Sequence, residues 1–400
     1  MKRRDRVMRS LEFQEERRVP MDLGGMRSTS VSCFVYTALR AHLGLPEGLP
    51  MIYDDGQMLA IPEPDVLDAL DCDVVFVDGT YSNAFDEKDK FEYYDFNKRL
   101  PALVRDRSVY RAEKDGTILR GDQKMAPTGT VFNVEHAGQV FDLENLYMPL
   151  LAQFESQMKS MLLTDRRAEE VALLCRKVRE STDRAVFLNS YEMFLDFVGG
   201  VANGSMICLM EPEYMHKVNQ IRMETYIQNF EKLVPMVREN VDIILSGNND
   251  MGTQNATIAS PEILDDIFIR YFKQGNEVIH RLAPGMKTFL HCCGAVYNLM
   301  DPIIDAGFDI LNPVQWTAGD KTYRQWKDKA RNRITLWGGG VDSQHLLPLG
   351  SVEEIAGQVR EVVSYMKRDG GFVFCNIHNL TAEVSPEKIQ AIYEAAKTVV

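Results

Sequence analysis

Lys287-Thr-Phe-Leu-His291-Cys292-Cys293-Gly294 is a short apolar run that ends directly in side chains able to bind a metal. A second stretch, Gly371-Phe-Val-Phe-Cys375-Asn376-Ile-His378, is built the same way. Each run is long enough for a buried strand, so both put reactive chemistry where a strand stops. That is the layout of a parallel α/β barrel, in which side chains at the C-terminal ends of several strands converge on one mouth.

The flanking sequence repeats the pattern. Short apolar runs at Ala185–Leu188, Val241–Leu245, Met286–Leu290, Phe308–Leu311, Arg333–Trp337 and Phe372–Phe374 alternate with amphipathic stretches such as 212–237, 261–281 and 351–368. Upstream, a predicted helix over 5–16 leads into Arg18-Val-Pro-Met-Asp22-Leu-Gly-Gly25, which suits a first buried strand. A helix around 32–43 follows, then Cys72-Asp-Val-Val-Phe-Val-Asp78 as a second strand. Together these give eight strands, the count of a (β/α)8 TIM-type barrel, so the fold class is α/β. A doubly wound open sheet is the competitor, but the first strand-to-helix turn lacks its G-x-G-x-x-G phosphate fingerprint.

One segment departs from the alternation. Ser108-Val-Tyr-Arg-Ala-Glu-Lys-Asp115-Gly116-Thr-Ile-Leu-Arg has two alternating halves around Asp-Gly, a strong hairpin signal. Residues 80–140 are therefore expected to form an antiparallel β insertion after the second strand, its aromatic residues packing on the barrel or roofing a pocket. The chain, 1–400, is expected to be a single barrel domain carrying this insertion.

Bulk properties narrow the function classes. The 400 residues are 45% hydrophobic and carry a formal charge of -13, which disfavours nucleic acid as a partner. The charged start has no apolar signal core, and no stretch reaches the ~18 apolar residues of a membrane span. No membrane partner and a cytoplasmic location are expected. The 7 cysteines show no framework spacing, so they are expected to be reduced and free to ligate metal.

The predicted strand ends supply a ring of polar residues: Asp22, Asp78, Asn248 to Asp250, His291 and Cys293, Asn312 and Gln315, Gly338 to Asp342, and Cys375. In extended backbone, alternate side chains share a face, so His291 and Cys293 point together while Cys292 points away. With Cys375 from a later strand, two thiolates and one imidazole suit tetrahedral zinc and leave a fourth position open. The competing reading makes both cysteines small buried hydrophobes. Asp250 and Asp342, each in a glycine-bounded turn, are candidate catalytic carboxylates, with a turn or cap role as the alternative. Asn312, Gln315, Gly338 and Gly339 are candidates for binding a cofactor, the glycines because they let a ligand approach the backbone. His378 is a weaker candidate; His42, His136, His216, His280 and His345 lack suitable partners.

Several of these residues stand in a familiar order. Arg18-Val-Pro-Met-Asp22-Leu-Gly, Asn249-Asp250-Met-Gly252-Thr-Gln254 before Ser260-Pro261-Glu262, His291-Cys-Cys293-Gly294, Gly307-Phe-Asp309-Ile-Leu-Asn312-Pro313-Val-Gln315 and Leu336-Trp-Gly-Gly-Gly340-Val-Asp342 resemble the uroporphyrinogen decarboxylase superfamily. The resemblance implies a (β/α)8 barrel. The true decarboxylases carry an Arg-Gln-Ala-Gly-Arg motif, which Met21-Asp-Leu-Gly-Gly-Met-Arg27 lacks. The other branch, the corrinoid-linked methyltransferases, has a zinc motif His-x-Cys with a distant Cys, matched by His291, Cys293 and Cys375. It implies Zn2+ as cofactor, a small methylated substrate or a thiol, and a corrinoid brought by a separate corrinoid-binding protein, since no Asp-x-His-x-x-Gly signature is present.

Overall fold

The computed structural model describes residues 2–134 and 142–399, so His136 and the end of the predicted insertion lie outside the described residues. Seven parallel strands curl in chain order: β1 (Val74–Val77), β2 (Ala185–Leu188), β3 (Ile243–Asn248), β4 (Lys287–His291), β5 (Ile310–Asn312), β6 (Thr335–Trp337) and β7 (Phe372–Val373). Helices connect them, including 212–237 and 352–366, close to the amphipathic stretches read from the sequence. The fold is α/β with a TIM-type barrel sheet.

The eighth position is filled differently from the expectation. The segment after Arg18 makes no full strand; only Met21 pairs, in parallel, with Phe374. Asp22 N donates to Phe374 O at 2.9 Å, and Asp73 N donates to Met21 O at 2.8 Å, which ties β7 to β1 and closes the ring. Pro20 has no N–H to donate, and the chain turns at once because Asp22 Oδ1 accepts from Gly25 N at 2.7 Å. The first helix is also shorter than read, Arg3–Leu11, and ends where Phe13 takes a positive φ.

Side-chain alternation sorts each strand into two faces. Ala185 and Phe187 of β2, Ile243 and Leu245 of β3 and Phe289 of β4 fill the barrel interior. Their neighbours Val186, Leu188, Ile244 and Leu290 pack outward under the helices. Phe187, Phe289 and Trp337 meet inside with ring centroids 4.7 to 6.0 Å apart. Aromatic pairs of this kind add about 0.5–1.5 kcal/mol beyond their burial. The N-terminal helix closes the far end: Val7 and Leu11 join the inner cluster, and Ser10 pins β7 through Gly371 N and Phe372 O.

Antiparallel hairpins follow β1, as expected. Glu92–Asp95 pairs with Pro101–Val104, and Tyr110–Ala112 pairs with Ile118–Arg120 around the Asp115-Gly116 turn. Phe96 and Tyr110 are buried there, in edge contact at 5.1 Å.

Asp22 is fully buried, and its Oδ2 accepts from Trp337 Nε1 at 2.9 Å. Burial pushes its carboxyl up to about 6, against the pull of the Trp337 and Gly25 bonds. The folded protein therefore holds this proton between about pH 4 and 6 when the unfolded chain has released it, and stability falls as pH rises through that window. An Asp22→Asn variant lacks this titration. Its thermal midpoint is expected to gain on wild type as pH rises from 4 to 7, by an amount equivalent to roughly 3 kcal/mol; parallel pH profiles would contradict the assignment.

Candidate metal centre

Inward alternation along β4 continues past its end. Phe289 faces the interior, His291 stands one layer higher on the same face, and Cys293 follows, while Cys292 packs into the outer core. His291 is 4% exposed. Its Nδ1 lies 2.8 Å from Asn312 Oδ1, and Asn312 Nδ2 donates to Trp337 O at 2.9 Å. Because the Asn312 amide nitrogen is committed to that carbonyl, its oxygen faces the imidazole, and Nδ1 must carry the hydrogen. The Nε2 lone pair is then free and aimed at Asp250, whose Oδ1 is 3.8 Å away.

The ligand atoms of Asp250, His291 and Cys293 all lie within 4.8 Å of one another. Two backbones in close contact bring them together. A Cβ on Gly252 would come within 2.7 Å of Cys293 O and Ala295 N, and Gly294 turns with φ +91 against Gly252. Hydrogen bonds join the loops: Asn249 N donates to His291 O at 3.0 Å, Ala295 N to Thr253 O at 2.8 Å and Cys293 N to Asp250 Oδ1 at 3.1 Å. Burial lowers the His291 pKa to about 4 despite the nearby Asp250 charge, so the imidazole is neutral at pH 7. Burial, reinforced by Asp250, pushes the Cys293 thiol up to about 12. A lone pair, a carboxylate and a thiol thus face one point, which is the donor set of a borderline-soft divalent cation such as zinc.

The other expected site residues divide. Cys375 is outside this group: it is fully buried in the inner cluster at the end of β7, where a Cβ on Gly338 would sit 3.1 Å from its Sγ and 3.5 Å from Asn312 Nδ2. Burial raises its thiol pKa well above the ordinary value. Gln315 Oε1 accepts from Gly294 N at 2.9 Å, which steadies the Cys293 turn. Gly339 packs against Val314, and its carbonyl accepts from Trp316 Nε1. Asp342 lies in a turn, its Oδ1 accepting from Gln344 N and His345 N. The His378 ring packs edge-on to His291 at 5.5 Å.

Beside this cluster, at the ends of β1 and β2, is a cavity of about 380 Å³ lined by Arg27, Tyr53, Asp78, Arg105, Asn189 and Glu192 among others. Of these, only Asp78 stands out in the sequence. The rest arrive from separate segments of the chain, Tyr53 on the short strand Ile52–Asp54 and Asn189 with Glu192 just past β2, with no spacing to mark them. A second cavity, of about 480 Å³, lies beside Phe154, Asp196 and Arg222.

Comparison with known proteins assigns the class. The family profile Uroporphyrinogen decarboxylase (URO-D) matches residues 196–399, just over half of the chain, and the chain belongs to that family. Among solved structures, a methyltransferase from Methanosarcina mazei shares the fold, with 13% identity and a TM-score of 0.53 over 99% of this chain and 98% of that one. A psychrophilic glycoside hydrolase family 10 endo-beta-1,4-xylanase aligns with 14% identity and a TM-score of 0.33, over 58% of this chain and 80% of its own. An endo-1,4-beta-xylanase from Caldicellulosiruptor owensensis aligns with 10% identity and a TM-score of 0.31, over 54% and 80%. No curated protein sequence matches the chain. Among the described residues, no helix is long and apolar enough to cross a membrane.

The Gly252 contact is testable. Gly252→Ala places a methyl against backbone atoms that cannot rotate away, and is expected to cost about 1–3 kcal/mol, lowering the thermal midpoint by several degrees. Gly285→Ala, where a Cβ meets nothing within 4 Å, is the control and is expected to leave the midpoint unchanged.

Proposed function

We propose that the chain is a zinc-dependent methyltransferase that moves a methyl group between a small methylated donor, of methoxy or methylamine type, and a separate corrinoid protein. The observation that carries this reading is the Asp250–His291–Cys293 group, with the His291 tautomer fixed by Asn312 so that Nε2 presents a lone pair. Family membership and the overall likeness to the Methanosarcina mazei methyltransferase support it.

His291, Cys293 and Asp250 would hold the metal; Cys375, the third ligand implied by the sequence resemblance, stands nearby in the inner layer against Gly338. When bound, zinc supplies Lewis acidity, which favours loss of an alkoxide from a methyl ether or ionisation of a thiol. The protein's own groups have separate tasks. Asn312 orients the imidazole, as partners of histidine ligands commonly do. Gln315 and the Gly252–Gly294 contact hold the Cys293 turn in place. Asp250 is the more exposed member, with a side chain 56% accessible, and so faces an incoming substrate. Because its oxygen also accepts from Cys293 N, the carboxylate stays in position beside the buried His291 and the half-buried Cys293. Asp342, Gln315, Gly338 and Gly339 border the mouth on which the corrinoid protein would dock.

Elemental mass spectrometry of the purified protein is expected to find about one zinc per chain, lost in His291→Ala and in Cys293→Ser. Asn312→Ala is expected to weaken zinc affinity by about 10–100-fold and to slow methyl transfer from a methoxylated donor to a reduced corrinoid protein in parallel. Full zinc occupancy and full transfer in all three variants would refute the proposal.

A further inference from the structure

The cavity at the ends of β1 and β2 contains more hydrogen-bond donors than its own acceptors use. Glu192 Oε1 accepts from Arg27 at 3.2 Å, and Asp78 Oδ2 accepts from Arg105 at 2.7 Å. The other Asp78 oxygen is taken by the backbone N–H groups of Thr80 and Tyr81. A guanidinium has five N–H donors, so both arginines keep donors to spare. The Arg105 plane is fixed by stacking on Tyr81, 4.4 Å from the ring centroid, and its buried Nε has no partner among the described residues.

Two further buried atoms in the same lining are unpaired. Tyr53 is 5% exposed, stacks on Phe76 with centroids 4.2 Å apart, and its hydroxyl has no partner among the described residues. Asn189 is 4% exposed; its Nδ2 donates to Gly25 O and Phe187 O, while its Oδ1 has no donor among the described residues. Buried polar groups left unpaired cost free energy, so these atoms call for partners that a molecule in the cavity can supply. Here the deficit is mostly of acceptors, with one donor wanted at Asn189. A carboxylate is acceptor-only and matches a guanidinium fork.

We propose that this cavity anchors the methyl donor by a carboxylate, held between Arg27, Arg105 and the Tyr53 hydroxyl, and that the substrate is a small methylated carboxylic acid. A hydroxyl or N–H elsewhere on the same molecule satisfies Asn189 Oδ1. The cavity volume suits a substituted single ring, and strand β3 alone separates β2, at whose end the cavity lies, from β4, which carries His291. The proposal rests on the methyltransferase reading for the word donor; the anion site itself does not.

The test is isothermal titration calorimetry of the full chain with 3-hydroxy-4-methoxybenzoate, which carries the acid, the methyl ether and a hydroxyl donor, and with its neutral counterpart 3-hydroxy-4-methoxybenzyl alcohol. The acid is expected to bind at least 10-fold more tightly than the alcohol. Arg105→Gln and Arg27→Gln are each expected to lose about 10-fold or more in affinity for the acid, with partial recovery in Arg27→Lys. Tyr53→Phe separates a binding role from a structural one: it removes an unpaired buried hydroxyl, so the ligand-free thermal midpoint is expected to hold or rise while acid affinity falls several-fold. Equal binding of acid and alcohol, no binding of the acid at millimolar concentration, or wild-type affinity in the arginine variants would overturn the proposal. Retention of acid binding by His291→Ala, in a protein whose wild type transfers no methyl group, would sink the reaction reading and leave the anion site standing.

Discussion

Everything at the mouth depends on the ring being closed at Met21. Three backbone hydrogen bonds, from Phe374 N to Pro20 O, from Asp22 N to Phe374 O and from Asp73 N to Met21 O, replace a full strand and hold β7 against β1. With the ring closed, alternate side chains have only an inside and an outside to choose between. Phe187, Phe289 and Trp337 fill the inside, and that layer is the floor on which His291 stands. Asp22 links closure and floor, since the same carboxylate that turns the chain at Gly25 also accepts from the indole of Trp337.

Above the floor, Asn312 converts a packing position into a chemical one. Its amide spans two strands, accepting from the imidazole of β4 and donating to the backbone of β6. One side chain thereby sets the ring orientation, the tautomer and the direction of the free lone pair. The Gly252–Gly294 contact then supplies the third dimension by drawing Asp250 and Cys293 against that lone pair. The two glycines need no side-chain chemistry; they serve because a Cβ at either position would collide with backbone.

The sequence made much of this legible, and the limits follow from range. Strands β1 to β7 could be read because each is a short apolar run, and the shared face of His291 and Cys293 because alternation is a local rule. The N-terminal segment reads as a strand because its apolar character is real, but Pro20 and the Asp22 turn stop it after one pairing. Gathering Asp250 with His291 and Cys293, ahead of Cys375, depends on a backbone approach between two loops that no residue spacing announces. Arg27, Tyr53, Arg105 and Glu192 come from four separate segments, so their convergence on one cavity exists only in three dimensions.

Zinc K-edge X-ray absorption on the metal-loaded protein reads the His291–Cys293 site itself, because it counts the atoms around the ion without relying on activity. The expected result is a four-coordinate shell with sulfur at about 2.3 Å and nitrogen or oxygen at about 2.0–2.1 Å, and a smaller sulfur contribution in Cys293→Ser. A shell of oxygen and nitrogen alone, unchanged by that substitution, would place the metal elsewhere and contradict ligation by Cys293.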